Sequence, residues 1–190
     1  MHRIGIFASG EGTNAQRFID YFKNSKDIRI SLIITNNPKA KVIERAKKND
    51  IPFMVINRDK FYNTDEVINE LKQKIEFVVL AGFMWMVPEN LIKAFNNKMV
   101  NVHPALLPAY GGKGMYGMHV HKAVVKNKEK KSGITIHFVN EKYDEGRIIF
   151  QQECIVAPED DAETLASKVH ELEHEYYPET VEKLLLGNIS

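Results

Sequence analysis

The chain has 190 residues, 44% of them hydrophobic and 27% charged, a size and balance suited to one folded domain with its own core. Lys and Arg number 26 against 25 Asp and Glu, so the net charge of +1 excludes the large single-sign field that nucleic acid or an anionic membrane would need. One cysteine, Cys154, excludes an internal disulfide framework and a cysteine-clustered zinc site, no apolar stretch approaches the ~20 residues of a membrane span, and the N-terminus lacks an export signal, so the expectation is a cytoplasmic protein.

In chain order, residues 3–8 predict a buried strand, and residues 14–22 a helix with Phe18, Ile19 and Phe22 on one face. Strands are predicted at 28–35 and 53–56, separated by a Lys-rich helix over 39–49. A helix over 64–74 carries Val67, Ile68 and Leu71 and precedes a run at 77–81 that is apolar on both faces, as a central parallel strand must be. Beyond it the pattern predicts a helix at 88–95, a strand at 99–102 and a helix at 119–127. Two late strands, 133–139 and 147–155, flank a turn at Asp144-Glu145-Gly146, and a long helix over 161–186 is expected to bend near Pro178. Strands alternating with helices predict an α/β fold, a three-layer α/β/α arrangement around a mostly parallel twisted sheet, in one domain over 1–190. Ligands of such sheets bind at the carboxyl ends of the strands.

Two such ends carry chemistry. After the first strand comes SGEGTNA at 9–15, formally G-x-G-x-x-A, where backbone N–H groups and a helix N-terminus can hold an anion. A dinucleotide site also needs an acidic residue at the end of the second strand, and Thr35-Asn36-Asn37 stands there instead, which argues against NAD. Gly12, Thr13 and Asn14 suit a single phosphate, although the same loop could merely let helix and strand pack. In Asn101-Val102-His103-Pro104 the strand period of two puts Asn101 and His103 on one side at the carboxyl rim. Thr135 and His137 repeat the pattern two residues apart, and the following turn supplies Asp144.

An imidazole, an amide and a carboxylate form an acyl-transfer or proton-transfer set: the carboxylate stabilises an imidazolium, and the amide can donate to an oxygen gaining charge. No G-x-S-x-G elbow surrounds Ser9, and Cys154 lies within a late strand, so direct attack by a bound substrate fits better than an acyl-enzyme. Each residue also has a plainer alternative: His103 as a packed histidine satisfied by Asn101, His137 on a solvated edge, Asp144 as a turn residue. His119 and His121 diverge on a helix with no third ligand at metal spacing, so no metal is expected.

SGEGTN at 9–14, VVLAGFM at 78–84, NVHPALLP at 101–108 and GITIHFV at 133–139 followed by Asp144 and Gly146 together resemble the formyltransferase family, in its order and spacing, over essentially the whole chain. The resemblance is strongest to its purine-biosynthetic branch. It implies a Rossmann-like fold whose N-terminal half binds phosphate and whose C-terminal half binds folate. The implied reaction is transfer of the formyl group of 10-formyltetrahydrofolate to the amine of glycinamide ribonucleotide. Asn101 would then hold the formyl oxygen, His103 would move protons, and Asp144 would orient His103. Gly12, Thr13 and Asn14 would take the ribonucleotide phosphate and Glu173 the substrate amine. Folate would lie against Met84, Trp85, Met86, Val87, Asn101, Asn140, Glu141, Lys142 and Tyr143, with Thr135 and His137 supporting the trio.

This chain departs from many bacterial relatives in carrying Trp85 and Thr64 where they have arginine, so the folate glutamate tail is expected to fall to Arg58 or Lys60, or to be bound more weakly. A loop at 110–119 with four glycines is expected to form a flap. The alternatives are a formyltetrahydrofolate deformylase, for whose N-terminal regulatory domain the first strand leaves no room, and a non-catalytic phosphate sensor. A methionyl-tRNA formyltransferase would need a basic C-terminal RNA-binding domain. The expected partners are the two small-molecule substrates, with no nucleic acid or membrane, in a monomer or homodimer.

Overall fold

The computed structural model of the chain describes residues 1–189. Met1–Val100 form one compact unit, and a second begins at Asn101. In chain order the elements of the first are β1 (His2–Phe7), α1 (Thr13–Phe22), β2 (Ile28–Thr35), α2 (Val42–Lys48), β3 (Phe53–Val55), α3 (Arg58–Asn63), α4 (Glu66–Lys74), β4 (Phe77–Leu80) and α5 (Glu89–Ala94). Then come β5 (Met99–His103), α6 (Met118–Lys126), β6 (Lys131–Phe138), β7 (Ile148–Ile155) and α7 (Ala162–Leu185).

The strands hydrogen-bond in the order β3-β2-β1-β4-β5-β6-β7. β1 runs parallel to β2 and β4, β2 parallel to β3, and β6 antiparallel to β7. This is the mostly parallel, Rossmann-like α/β sheet that the alternating pattern predicts. All four residues of β4 are buried, as are Ile4 to Phe7 of β1; β4 pairs with β1, α4 packs on β1, and α1 and α2 pack on β2. In the second unit α7 packs against α6, β6 and β7. No helix among the described residues is long and apolar enough to cross a membrane.

Two elements differ from expectation for local reasons. The six-residue α3 precedes the helix expected at 64–74, because the Asn57 side chain caps it by accepting from the N–H groups of Asp59 at 2.8 Å and Lys60 at 3.3 Å. Extended backbone at Thr64 then separates α3 from α4. Helix α2 starts at Val42 rather than 39, since the Asn37 carboxamide holds the Lys39 N–H in a turn at 2.9 Å. Helix α7 runs over Ala162–Leu185, as expected, and includes the buried Pro178.

Candidate active site

In the first unit, β1 delivers the chain into the loop that starts α1. Gly12 takes φ 69° and ψ 31°, left-handed backbone that favours glycine, and a Cβ there would meet Val42 Cγ2 at 2.5 Å and Val42 Cα at 3.1 Å. Helix α1 then begins at Thr13 without a side-chain cap, so the cap position supplies no side-chain acceptor for its first N–H groups. Asn14 is buried. The loop is shaped from α2: the Val42 N–H donates to the Gly10 carbonyl at 3.1 Å, Arg45 Nε to the Glu11 carbonyl at 2.7 Å, and Lys41 Nζ pairs with the Glu11 carboxylate at 2.9 Å. Gly12, Thr13 and Asn14, the residues expected at phosphate, stand where this loop becomes α1; sequence reasoning does not name Lys41, which caps α2, or Arg45, four residues on within it.

In the second unit, β5 ends in Asn101 and His103, and β6 ends in His137 and Phe138. Around His137 the network is fixed by acceptors. A carbonyl can only accept, so the Nδ1–H donates to the Phe138 carbonyl at 2.9 Å, and burial pushes this imidazole below its ordinary 6.5, favouring the neutral ring. The bare Nε2 then accepts from Asn101 Nδ2 at 3.2 Å. One N–H of the Asn101 amide is thereby held, and its other N–H remains available to a ligand oxygen.

His103 is 3% exposed, and its Nε2–H donates to the Tyr110 carbonyl at 2.8 Å. Its Nδ1 lies 3.5 Å from Asp144 Oδ2, while Asp144 Oδ1 lies 3.7 Å from His137 Nε2. Asp144 thus stands between two imidazoles, with φ 55° on the turn after β6, and accepts the Gly112 N–H at 2.9 Å. A Cβ at Gly146 would overlap the Phe138 carbonyl oxygen, so the turn that aims Asp144 requires glycine there.

Thr135, fully buried on β6, ties down the backbone after β5. Its hydroxyl donates to the Ala105 carbonyl at 2.7 Å and accepts from the Leu107 N–H at 2.9 Å and from Gln151 Nε2 at 2.8 Å. Gln151, on β7, also donates to the Leu107 carbonyl at 2.9 Å. Sequence reasoning missed Gln151, which sits opposite Thr135 across the antiparallel pair.

Glu173 on α7 is 12% exposed at its side chain, with His170 Nδ1 3.0 Å from its carboxylate. His121 on α6 is 5% exposed, and its Nδ1 finds no hydrogen-bond partner. Burial pushes this imidazole below 6.5, the Glu173 charge opposes that shift and His103 reinforces it. Glu173 and His103 thus both act on His121 electrostatically. Sequence reasoning weighs His121 only as a metal partner of His119 and sets it aside; His119 packs against Tyr116, ring centroids 5.1 Å apart.

Of the residues expected at folate, Met84 and Met86 are exposed, Trp85 is half-buried, and Val87 is buried. The Met84 N–H donates to Ser9 Oγ at 2.8 Å, which joins this segment to the first loop. Glu141, Lys142 and Tyr143 are exposed, and the Asn140 side chain accepts the Lys142 N–H at 3.0 Å.

Residues 2–181 match the Formyl transferase family model. The chain is 40% identical over 186 residues to the chloroplastic phosphoribosylglycinamide formyltransferase of Arabidopsis thaliana, covering 94% of this chain and 64% of that protein. It is 34% identical over 191 residues to the phosphoribosylglycinamide formyltransferase of Bacillus subtilis, covering 97% of this chain and 95% of that protein. The chain thus spans about two thirds or less of the plant relatives' length, the Vigna unguiculata protein being covered over 60%. Among solved structures, phosphoribosylglycinamide formyltransferase from Bacillus halodurans is 41% identical with a TM-score of 0.86, covering 96% of this chain and 95% of that one. The Anaplasma phagocytophilum enzyme of that name is 32% identical with a TM-score of 0.89, covering 97% and 87%.

Proposed function

The chain belongs to the formyl transferase family, and from that premise we propose that it transfers the formyl group of 10-formyltetrahydrofolate to the amine of glycinamide ribonucleotide, a step of purine biosynthesis, in the cytoplasm. The observation that carries the proposal is the Asn101–His137–Asp144–His103 network, a set of donors and bases with no nucleophile of the protein's own. The names of the bacterial relatives, which this chain matches over nearly their full length, support the same substrates.

Attack of the amine on the formyl carbon puts negative charge on the formyl oxygen, and the free N–H of Asn101 is the donor for it. His137, neutral and accepting from the other Asn101 N–H, orients that donor. His103 moves the proton from the attacking amine towards the leaving nitrogen of the folate, and Asp144 stabilises the imidazolium formed on the way. Glu173 holds the amine, and Gly12, Thr13 and Asn14 take the ribonucleotide phosphate. For folate, the exposed Met84 and Met86 with the half-buried Trp85 supply the apolar and aromatic surface that a flat pterin needs; Asn140, Glu141, Lys142 and Tyr143 complete the assigned set. Residues 1–190 work as one domain in this account.

The test follows folate absorbance with and without the ribonucleotide. Deformylated folate appearing only when both are present is expected. Release of formate without the ribonucleotide would assign a deformylase instead, and ribonucleotide binding without turnover would assign a sensor.

A further inference from the structure

We propose that Tyr110 is a positioning residue: its phenol, clasped by Asn127 and Glu129, holds its backbone carbonyl on His103 and so selects the imidazole nitrogen that receives a proton. The catalytic side of this assignment rests on the transferase function proposed above. The Tyr110 carbonyl takes the Nε2–H of His103 at 2.8 Å, which leaves the bare Nδ1, 3.5 Å from Asp144 Oδ2, as the atom that gains a proton. The next two residues continue the same wall. A Cβ at Gly111 would stand 2.5 Å from Leu107 Cδ2 and 3.4 Å from the Asp144 Cβ, and the Gly112 N–H donates to Asp144 Oδ2 at 2.9 Å. The backbone of residues 110–112 thus lies against both His103 and its carboxylate.

The anchor of that wall is the Tyr110 hydroxyl, which donates to Glu129 Oε1 at 2.7 Å and accepts from Asn127 Nδ2 at 2.9 Å. Burial above all, with the Glu129 hydrogen bond and charge behind it, pushes the phenol above its ordinary 10 against the opposing Asn127 bond, so the hydroxyl keeps the proton it donates. Both clasp residues are tied to the end of α6. The Asn127 N–H caps that helix by donating to the Ala123 carbonyl at 3.0 Å, and the Glu129 N–H donates to the Val124 carbonyl at 3.3 Å. Tyr110 itself takes φ 57°, left-handed backbone that strains an L side chain and suits glycine. Glycines follow at 111 and 112, yet tyrosine stands at the strained position beside the imidazole. Such strain persists where surrounding contacts over-determine the backbone, and the phenol's hydrogen bonds are contacts of that kind. Without them the residue can relax towards ordinary backbone, which carries the carbonyl off His103 and lets the ring exchange its tautomers.

The experiment reads the imidazole tautomer and turnover side by side in the native protein and in Tyr110→Phe, Glu129→Ala and Glu129→Gln. Nitrogen NMR of the histidine-labelled protein at mildly alkaline pH, with the His103 signals assigned by their loss in His103→Ala, reports which ring nitrogen carries the proton. The native ring should be the Nε2–H form. Tyr110→Phe and Glu129→Ala are expected to draw the two nitrogens towards an averaged shift and to lower kcat by about tenfold, the cost of roughly one hydrogen bond's worth of positioning, with KM for the ribonucleotide kept. Glu129→Gln, whose amide oxygen still accepts the phenol proton, should keep both the tautomer and kcat. Thermal melting of each variant guards against a folding defect. A Tyr110→Phe ring that stays in the Nε2–H form, or one that changes tautomer while kcat stays native, would overturn the proposal and reduce the clasp to a structural contact. The tautomer is read without substrate, so the two failures separate: a native protein that transfers no formyl group would overturn the transferase reading, while an altered tautomer in Tyr110→Phe would still support the clasp.

Discussion

Asn101 and His103 are two residues apart on one strand, yet their partners come from different places: His137 from the next strand, Asp144 from the turn beyond it, and the Tyr110 carbonyl from a glycine-rich loop. The trio itself is legible in the sequence, because a polar pair at strand period beside a proline marks a rim. The Tyr110 carbonyl is not legible, since any residue carries one. The resemblance implies a supporting role for His137, and a ring held towards its neutral form that accepts from Asn101 is how it would act. Asn101→Ala is expected to lower kcat by about 10²–10³-fold, the usual cost of one oxyanion donor, with ribonucleotide affinity kept. Steady-state kinetics beside calorimetric binding of the ribonucleotide checks this, and an equal loss of affinity would make Asn101 structural.

Each part of the site depends on an element that holds it. The first loop is a corner built from glycine against Val42, so Gly12→Ala should cost about 1–2 kcal/mol from left-handed backbone alone, and the contact with Val42 adds to it. Thermal unfolding and ribonucleotide affinity should both fall; a variant of native stability would show that the corner relaxes. Thr135→Val keeps the shape but strips a buried hydroxyl that makes three hydrogen bonds. With about 1–3 kcal/mol for each buried group left unsatisfied, a loss near 3 kcal/mol is expected in urea unfolding. A loss below about 1 kcal/mol would mean that water or a neighbour replaces the hydroxyl. At this scale α3 escaped the sequence, because six residues capped by one asparagine give no apolar period to detect.

For the whole molecule, the strand sequence was legible almost throughout, since fully apolar runs such as Phe77–Leu80 have no other home than a covered parallel sheet. The second unit gathers buried imidazoles, and this sets a pH dependence. Burial holds His121 and His137 below 6.5, so the folded chain binds fewer protons than the unfolded one. Their contribution to stability is full above about pH 6.5 and is lost as pH falls through their lowered folded values. Urea midpoints should therefore decline from pH 7 to pH 5, whereas a flat profile would mean that both rings charge without penalty. The central claim, that Asn101, His103 and Asp144 carry a formyl group directly between two bound small molecules, is tested most directly by single-turnover transfer of an isotopically labelled formyl group. The native protein should move the label from 10-formyltetrahydrofolate onto the ribonucleotide amine, and His103→Ala and Asp144→Asn, still binding the ribonucleotide, should slow that step by about 10²–10⁴-fold. Label reaching the ribonucleotide at the native rate in either variant, or recovered as formate, would contradict it.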